Sequence, residues 1–223
     1  EMCIRDRYTS NFTPSTTPLT AITNTTLLTC QSNRFIDNST NNFTITRNGD
    51  VSVQRFSPFS LTAAYSASTI GGSAYFDGSA DYLQVPNNAA FNLSNTWTVE
   101  CWYYPISRVE TYPTIFGISD GTYQNSIVLN DRHNGTPDKF SFSVGTYGLN
   151  SSTTNVVNGT WYHIALVSNN GVVTMYVNGT AEVTANLTAG AGSKSVYIGT
   201  NYDHAQYPTE LNGYVSNLRI VAS

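Results

Sequence analysis

Charge is scarce in this 223-residue chain. Asp, Glu, Lys and Arg together make up 11% of it and the formal net charge is -4. There is no basic stripe to gather phosphates, and nucleic acid is not expected as a partner. Long apolar runs are also missing. None approaches the roughly 18 residues that cross a bilayer as a helix, so membrane insertion is not expected. The three cysteines, Cys3, Cys30 and Cys101, lack the close pairing of a zinc site or a redox motif. Cys30 and Cys101 read as buried thiols. His133, His163 and His204 are scattered, with neither a Gly-x-Ser-x-Gly elbow nor a Cys-His signature beside them, which argues against nucleophilic catalysis. No convincing amphipathic helix occurs either.

What remains is apolar and aromatic enough to fold: 40% hydrophobic and 13% aromatic residues outweigh the disorder suggested by the many Asn, Ser and Thr. Short apolar segments alternate with turn residues at 26–30, 43–46, 51–53, 74–76, 82–85, 97–104, 114–118, 126–129, 139–144, 161–167, 172–177, 195–198 and 213–221. Many short strands at this spacing predict a sandwich rather than βα units. Two Asn-Gly pairs, Asn170-Gly171 and Asn178-Gly179, bracket the segment Val172 to Val177. Each supplies two residues that tolerate positive φ, as a tight type I′ turn requires, and together they predict an antiparallel meander.

The ends differ from the middle. Residues 1–7 concentrate Glu1, Arg5, Asp6, Arg7 and Cys3 in a charge-poor chain. Met2-Cys-Ile-Arg-Asp-Arg7 resembles the translation of a transposase sequencing adapter, so residues 1–7 are read as an assembly artefact. Residues 8–24 carry Pro14 and Pro18 among threonines, which disfavour a helix interior or a central strand. This stretch is expected to be a linker or the tail of a preceding unit, with one β-domain over 25–223.

The segments Trp161-Tyr-His-Ile-Ala-Leu-Val167 and Met175-Tyr-Val-Asn-Gly179, with Ala74-Tyr-Phe-Asp-Gly-Ser-Ala-Asp-Tyr82, resemble the laminin-G-like jelly rolls of the concanavalin A-like lectin and glucanase superfamily. The resemblance implies an all-β, antiparallel two-sheet jelly-roll sandwich. It points to a non-catalytic binding or adhesion module recognising a glycan or surface ligand, within a larger multi-domain protein that includes neighbouring modules. Similar sequences look like those of marine phage and bacterial proteins, which implies a virion-associated or extracellular surface location. Two alternatives stand beside this: a structural or assembly spacer module of a virion or surface protein, and a glycoside hydrolase. Glucanases of the superfamily often set Glu-x-Asp-x-x-Glu along one strand. Here Glu100 stands alone in Thr98-Val-Glu-Cys-Trp102, and Glu110, Glu182 and Glu210 have no carboxylate at the needed offset.

Sugars are held by aromatic faces together with amides and carboxylates, and binding residues concentrate in loops on rigid scaffolds. Tyr123, Asp131, Arg132, Tyr202, Asp203, His204 and Tyr207 are the expected ligand residues, with Tyr112, His133 and Tyr147 also in or beside loops. His163 and the three tryptophans, Trp97, Trp102 and Trp161, are expected in packing. Asp77 and Asp81 flank a Gly-containing bend. The resemblance implies calcium there, since hard cations take carboxylate and carbonyl oxygens, but the same residues suit a plain turn. Both readings stand at this point.

Overall fold

A computed structural model describes residues 8–60, 66, 69–93, 95–108, 110–133, 138–145 and 149–222. The adapter-like residues 1–7 and Tyr147 lie outside the described residues. The strands, in chain order, are β1 (Thr25–Thr29), β2 (Thr46–Asn48), β3 (Ser52–Gln54), β4 (Ser73–Asp77), β5 (Tyr82–Asn88), β6 (Trp97–Ser107), β7 (Thr114–Ser119) and β8 (Ile127–Asn130). They continue with β9 (Ser141–Val144), β10 (Asn150–Ser151), β11 (Tyr162–Asn169), β12 (Val172–Val177), β13 (Thr180–Asn186), β14 (Lys194–Ile198) and β15 (Asn212–Ala222). The two strands not foreseen as apolar runs, β10 and β13, have few buried side chains. Their sequences carry little of the apolar alternation that marks a strand.

All pairings are antiparallel. The first sheet runs β13-β12-β11-β6-β15-β4-β3, and the second runs β10-β9-β8-β7-β14-β5-β2. β15 serves two partners along one edge: its first half pairs with β4 and its second half with β1. The register breaks between them at Ser216 and Asn217, where Asn217 takes φ 55° in the manner of a bulge. The meander forms as expected, with φ of 49° and 82° at Asn170-Gly171 and 50° and 81° at Asn178-Gly179.

Alternation decides which side chains meet between the sheets. Trp97, Val99, Cys101 and Tyr103 of β6 and Ile164 and Leu166 of β11 share one buried cluster with Phe116, Ile118, Leu129, Phe142, Val196 and Ile198 of the second sheet. Cys30 and Cys101 are buried free thiols. Burial pushes the Cys30 thiol up to about 12 and the Cys101 thiol higher still.

The outer face of the first sheet is partly covered by the chain itself. The extended segment 8–22 lies across it, with Phe12 N donating to Gly179 O at 2.9 Å and Leu19 N to Asn217 Oδ1 at 2.7 Å. Tyr8 and Phe12, stacked with centroids 3.5 Å apart, pack on Ala165, Val167 and Tyr176. Beneath them Glu100 accepts from Arg219 Nη2 at 2.5 Å and from Tyr8 Oη at 2.8 Å, with His163 Nε2 at 3.1 Å. His163 is therefore a packed strand residue, as expected. Trp97 is a core residue, whereas Trp102 and Trp161 are half-buried on the outer side; Trp161 stacks on Phe56 at 5.3 Å. Period-two alternation explains the difference: on β6, Trp97 and Trp102 are an odd number of residues apart and must point to opposite faces.

Candidate functional site: a cleft on the second sheet

The outer face of the second sheet carries a cleft of about 590 Å³. Its floor comes from Val128 and Asn130 of β8 and Ser143 of β9, which alternate away from the core, and from Thr114 of β7, where the register shifts before Phe116. Thr114 Oγ1 lies 2.9 Å from Asn130 Oδ1, fixing the amide. The walls are loop residues, Tyr112, Tyr123, His133 and Leu149 on one side and Asn201, Asp203, Tyr207 and Thr209 on the other.

The second wall is a clamped loop. Thr200 Oγ1 and Thr209 Oγ1 meet at 2.8 Å at its base, and Gln206 N and Tyr207 N both donate to Asp203 O, at 2.8 and 3.1 Å. Thr209 O accepts from Thr114 N at 2.9 Å and Pro208 O from Tyr112 N at 3.2 Å, tying the loop to the floor. Gly117 is required beneath it, because a Cβ there would come within 2.4 Å of Asn201 Oδ1. The aromatic rim is ordered the same way: Tyr112 lies 4.8 Å from the His133 ring and 6.3 Å from Tyr207, the latter pair nearly perpendicular at 89°.

Burial governs the charges. It raises the Asp203 carboxyl above its ordinary value, and Asp203 Oδ1 is enclosed without a hydrogen-bond partner among the described residues. It lowers the His133 imidazole, which keeps that ring neutral at pH 7. The Tyr202 phenol is pushed up to about 12 by burial first, then by the neighbouring Asp203, Tyr123 and Tyr207. Among the described residues no Lys or Arg lines the cleft.

Of the expected ligand residues, the structure brings Tyr123, Asp203 and Tyr207 together in this cleft. Tyr202 stands close behind them, since its phenol feels Asp203, Tyr123 and Tyr207. His204 points to the far side of the same loop, its ring 4.9 Å from Tyr82. Asp131 and Arg132, expected as ligand residues, do not line the cleft. Asp131 is fully buried, accepting from Arg108 Nε at 2.8 Å and from Tyr103 Oη at 3.0 Å, and burial lifts its carboxyl to about 6. Arg132 Nη1 donates to Arg108 O. Asp131 braces the loop from within, where an unpaired charge would be costly, and the half-buried Arg132 ties the same loop to the Arg108 backbone. The floor residues Thr114, Asn130 and Ser143 were missed; the signal for Asn130 and Ser143 was a polar residue at the outward parity of an otherwise apolar strand, whereas Thr114 depends on a register shift before Phe116.

A second polar cluster lies elsewhere. Asp50, Asp77 and Asp81 bring carboxylate oxygens within 4.8 Å of one another. Asp81 Oδ1 accepts from Asp50 N at 2.6 Å and Oδ2 from Asp77 N at 3.2 Å, so the turn role is real. Burial raises the Asp81 carboxyl despite those bonds, and Asp77 and Asp50 raise it further. Three oxygen donors of one sign fit a hard cation by chemistry, and Asp50 joins the two residues expected from sequence.

A family model described as concanavalin A-like lectin/glucanases superfamily matches residues 77–223. The chain belongs to that superfamily. No characterised protein sequence matches this laminin-G-like jelly roll, so its relatives are seen through structure. Domain 4 of AbnA, a GH43 extracellular arabinanase from Geobacillus stearothermophilus solved with arabinotriose, is 22% identical at TM-score 0.60. The match covers 89% of this chain and 92% of that one. A botulinum neurotoxin type C structure, described as entering cells through two ganglioside molecules, is 14% identical at TM-score 0.61, with 90% of this chain and 48% of that one covered. The mouse laminin alpha1 LG4-5 domains match 66% of this chain at 18% identity and TM-score 0.51, over 40% of their own length. At these identities the likeness is one of fold.

Proposed function

We propose that this jelly roll is a non-catalytic carbohydrate-binding module of a larger surface or virion-associated protein, taking a sugar in the cleft of the second sheet. The observation that carries the reading is the cleft itself: ordered rings at the rim, amide and hydroxyl groups on the floor, and the half-exposed Asp203 carboxylate in the wall. A sugar offers apolar ring faces to tyrosines and hydroxyl groups to amides, hydroxyls and a carboxylate. The volume lies within the range of small-ligand sites. Solved structures of the same fold whose descriptions name arabinotriose and gangliosides support the class of ligand.

Glycoside hydrolysis calls for two carboxylates flanking the bond. Asp203 is the single carboxylate among the described residues lining the cleft, which favours binding over cleavage. Calcium at Asp50, Asp77 and Asp81 enters the same reading as a structural ion.

The test is a glycan array followed by calorimetry on the best hit with Tyr207→Ala. Loss of a rim tyrosine is expected to weaken binding about tenfold, ~1.4 kcal/mol. An array with no hit, or a Tyr207→Ala protein that binds as well as the parent, would remove the proposal.

A further inference from the structure

The cleft occupies only half of the second sheet's outer face. In register across that sheet, Ser143 pairs with Val128, Val128 with Gly117, Gly117 with Tyr197, Tyr197 with Gln84, and Gln84 with Thr46. Six strands at about 4.8 Å spacing make this row roughly 24 Å long. The clamped loop rests on the row at Gly117, where Asn201 presses against the backbone. It therefore divides the face in two. Asp203 and Tyr207 look towards β7, β8 and β9. His204 looks the other way, its ring 4.9 Å from Tyr82 of β5 and 6.4 Å from Tyr197 of β14.

This far side is built rather than incidental. His204 Nδ1 lies 2.8 Å from Asn201 O, which sets the ring, and Gln84 Nε2 donates to Tyr197 Oη at 3.3 Å. Tyr82, Tyr197, His204 and Gln84 are all half-exposed: three rings and an amide on one outward patch. Among the described residues no Lys or Arg lines the cleft, and Asp203 is the one formal charge there.

We infer that Tyr82, Tyr197 and His204 form a second subsite, and that the ligand is a neutral oligosaccharide straddling the 201–207 loop with one residue in the cleft and another on this patch. The inference rests on the carbohydrate reading above and adds length and charge to it. A chain short enough to sit in the cleft alone gains nothing from the far side. In the cleft an anionic sugar meets the acidic Asp203 side chain and, among the described residues, no Lys or Arg.

The probes are the neutral glycan that binds most tightly on the array, prepared at one, two, three and four residues, and a sialylated glycan of the longest length. Calorimetry on the whole chain is expected to show affinity rising about tenfold, ~1.4 kcal/mol, between the shortest and longest neutral probes. Tyr82→Ala and His204→Ala should each erase most of that rise while leaving the shortest probe within twofold. Tyr207→Ala should weaken every length. Melting curves confirm that each variant is folded. A length gain that survives both far-side variants overturns the inference, as does equal binding of the sialylated probe. Short probes that bind and respond to Tyr207→Ala without any length gain overturn the second subsite alone, whereas absence of all binding overturns the carbohydrate reading itself.

Discussion

Replacing Glu100 by glutamine keeps the shape of the side chain and removes its charge at the most enclosed polar site of the first sheet. Glu100 is 0% exposed and Arg219 1%. The guanidinium gives two bonds to Glu100 Oε1, from Nε at 3.0 Å and Nη2 at 2.5 Å, and a third to Thr20 O at 2.8 Å. Glu100 Oε2 accepts from Tyr8 Oη. Removing one member of a buried ion pair leaves the other without a counter-charge, which costs about 3–5 kcal/mol. For a chain of this length each kcal/mol lowers the melting temperature by roughly 2–4 °C, so Glu100→Gln should melt roughly 6–20 °C below the parent. Urea unfolding followed by tryptophan fluorescence gives the free energy directly. The double variant Glu100→Leu with Arg219→Leu removes both charges and should lose less than Glu100→Gln alone. A loss under about 1 kcal/mol for Glu100→Gln, or a double variant that costs the sum of the two singles, would show that the pair is solvated and refute the reasoning.

Three further outcomes follow from separate parts of the fold. Gly179 sits at φ +81°, and a Cβ there would lie 1.8 Å from Phe12 O, so Gly179→Ala should lift the 8–22 segment at a cost of about 1–3 kcal/mol; unchanged hydrogen-exchange protection at the Phe12 and Ala181 amides would contradict this. The Asp131 carboxyl, at about 6 in the folded chain, titrates above the ~3.9 of an unfolded Asp. The folded state then holds more protons between those values, so this group's contribution to stability is complete below about pH 4 and is lost as pH rises through about 6. Carboxyl-carbon NMR should find its midpoint there, and a midpoint below 4 would oppose it. Millimolar calcium should raise the melting temperature through Asp50, Asp77 and Asp81, and Asp50→Asn with Asp77→Asn should abolish the shift. No shift in the parent chain would mean the three carboxylates serve the turn alone.

The strands were legible because apolar residues recur with period two, and the hairpin turns because Asn-Gly tolerates positive φ. The site was legible only in part. Tyr123, Asp203 and Tyr207 could be placed in loops from the turn residues around them, but nothing local says that 112–133 and 200–209 face each other; that requires β7 to pair with both β8 and β14. Asp131 and Arg132 misled for the same reason. A charged pair beside a strand looks solvent-facing until Arg108 and Tyr103, 23 and 28 positions away, are seen to enclose the carboxylate. Glu100 looked solitary in sequence because its partners Tyr8, His163 and Arg219 come from three distant segments. Residues 8–22 read as a linker because prolines and threonines report what a segment is not, and its docking depends on a sheet face formed far along the chain.

The two sheets end in unequal edges. β2, β3 and β10 are two or three residues long, too short to template another chain. β13, at seven residues, is long enough to do so. Its free side is obstructed in its first half, at two adjacent residues: Asn11 Oδ1 takes the Ala181 amide at 2.9 Å, and the Glu182 carboxylate is drawn to the amides of Thr153 and Thr154 at 2.8 and 2.9 Å. The crossing segment 8–22 thus does more than cover a face: through Asn11 it occupies an edge amide that an incoming strand would need. A second copy of this domain meets an edge already taken at Ala181.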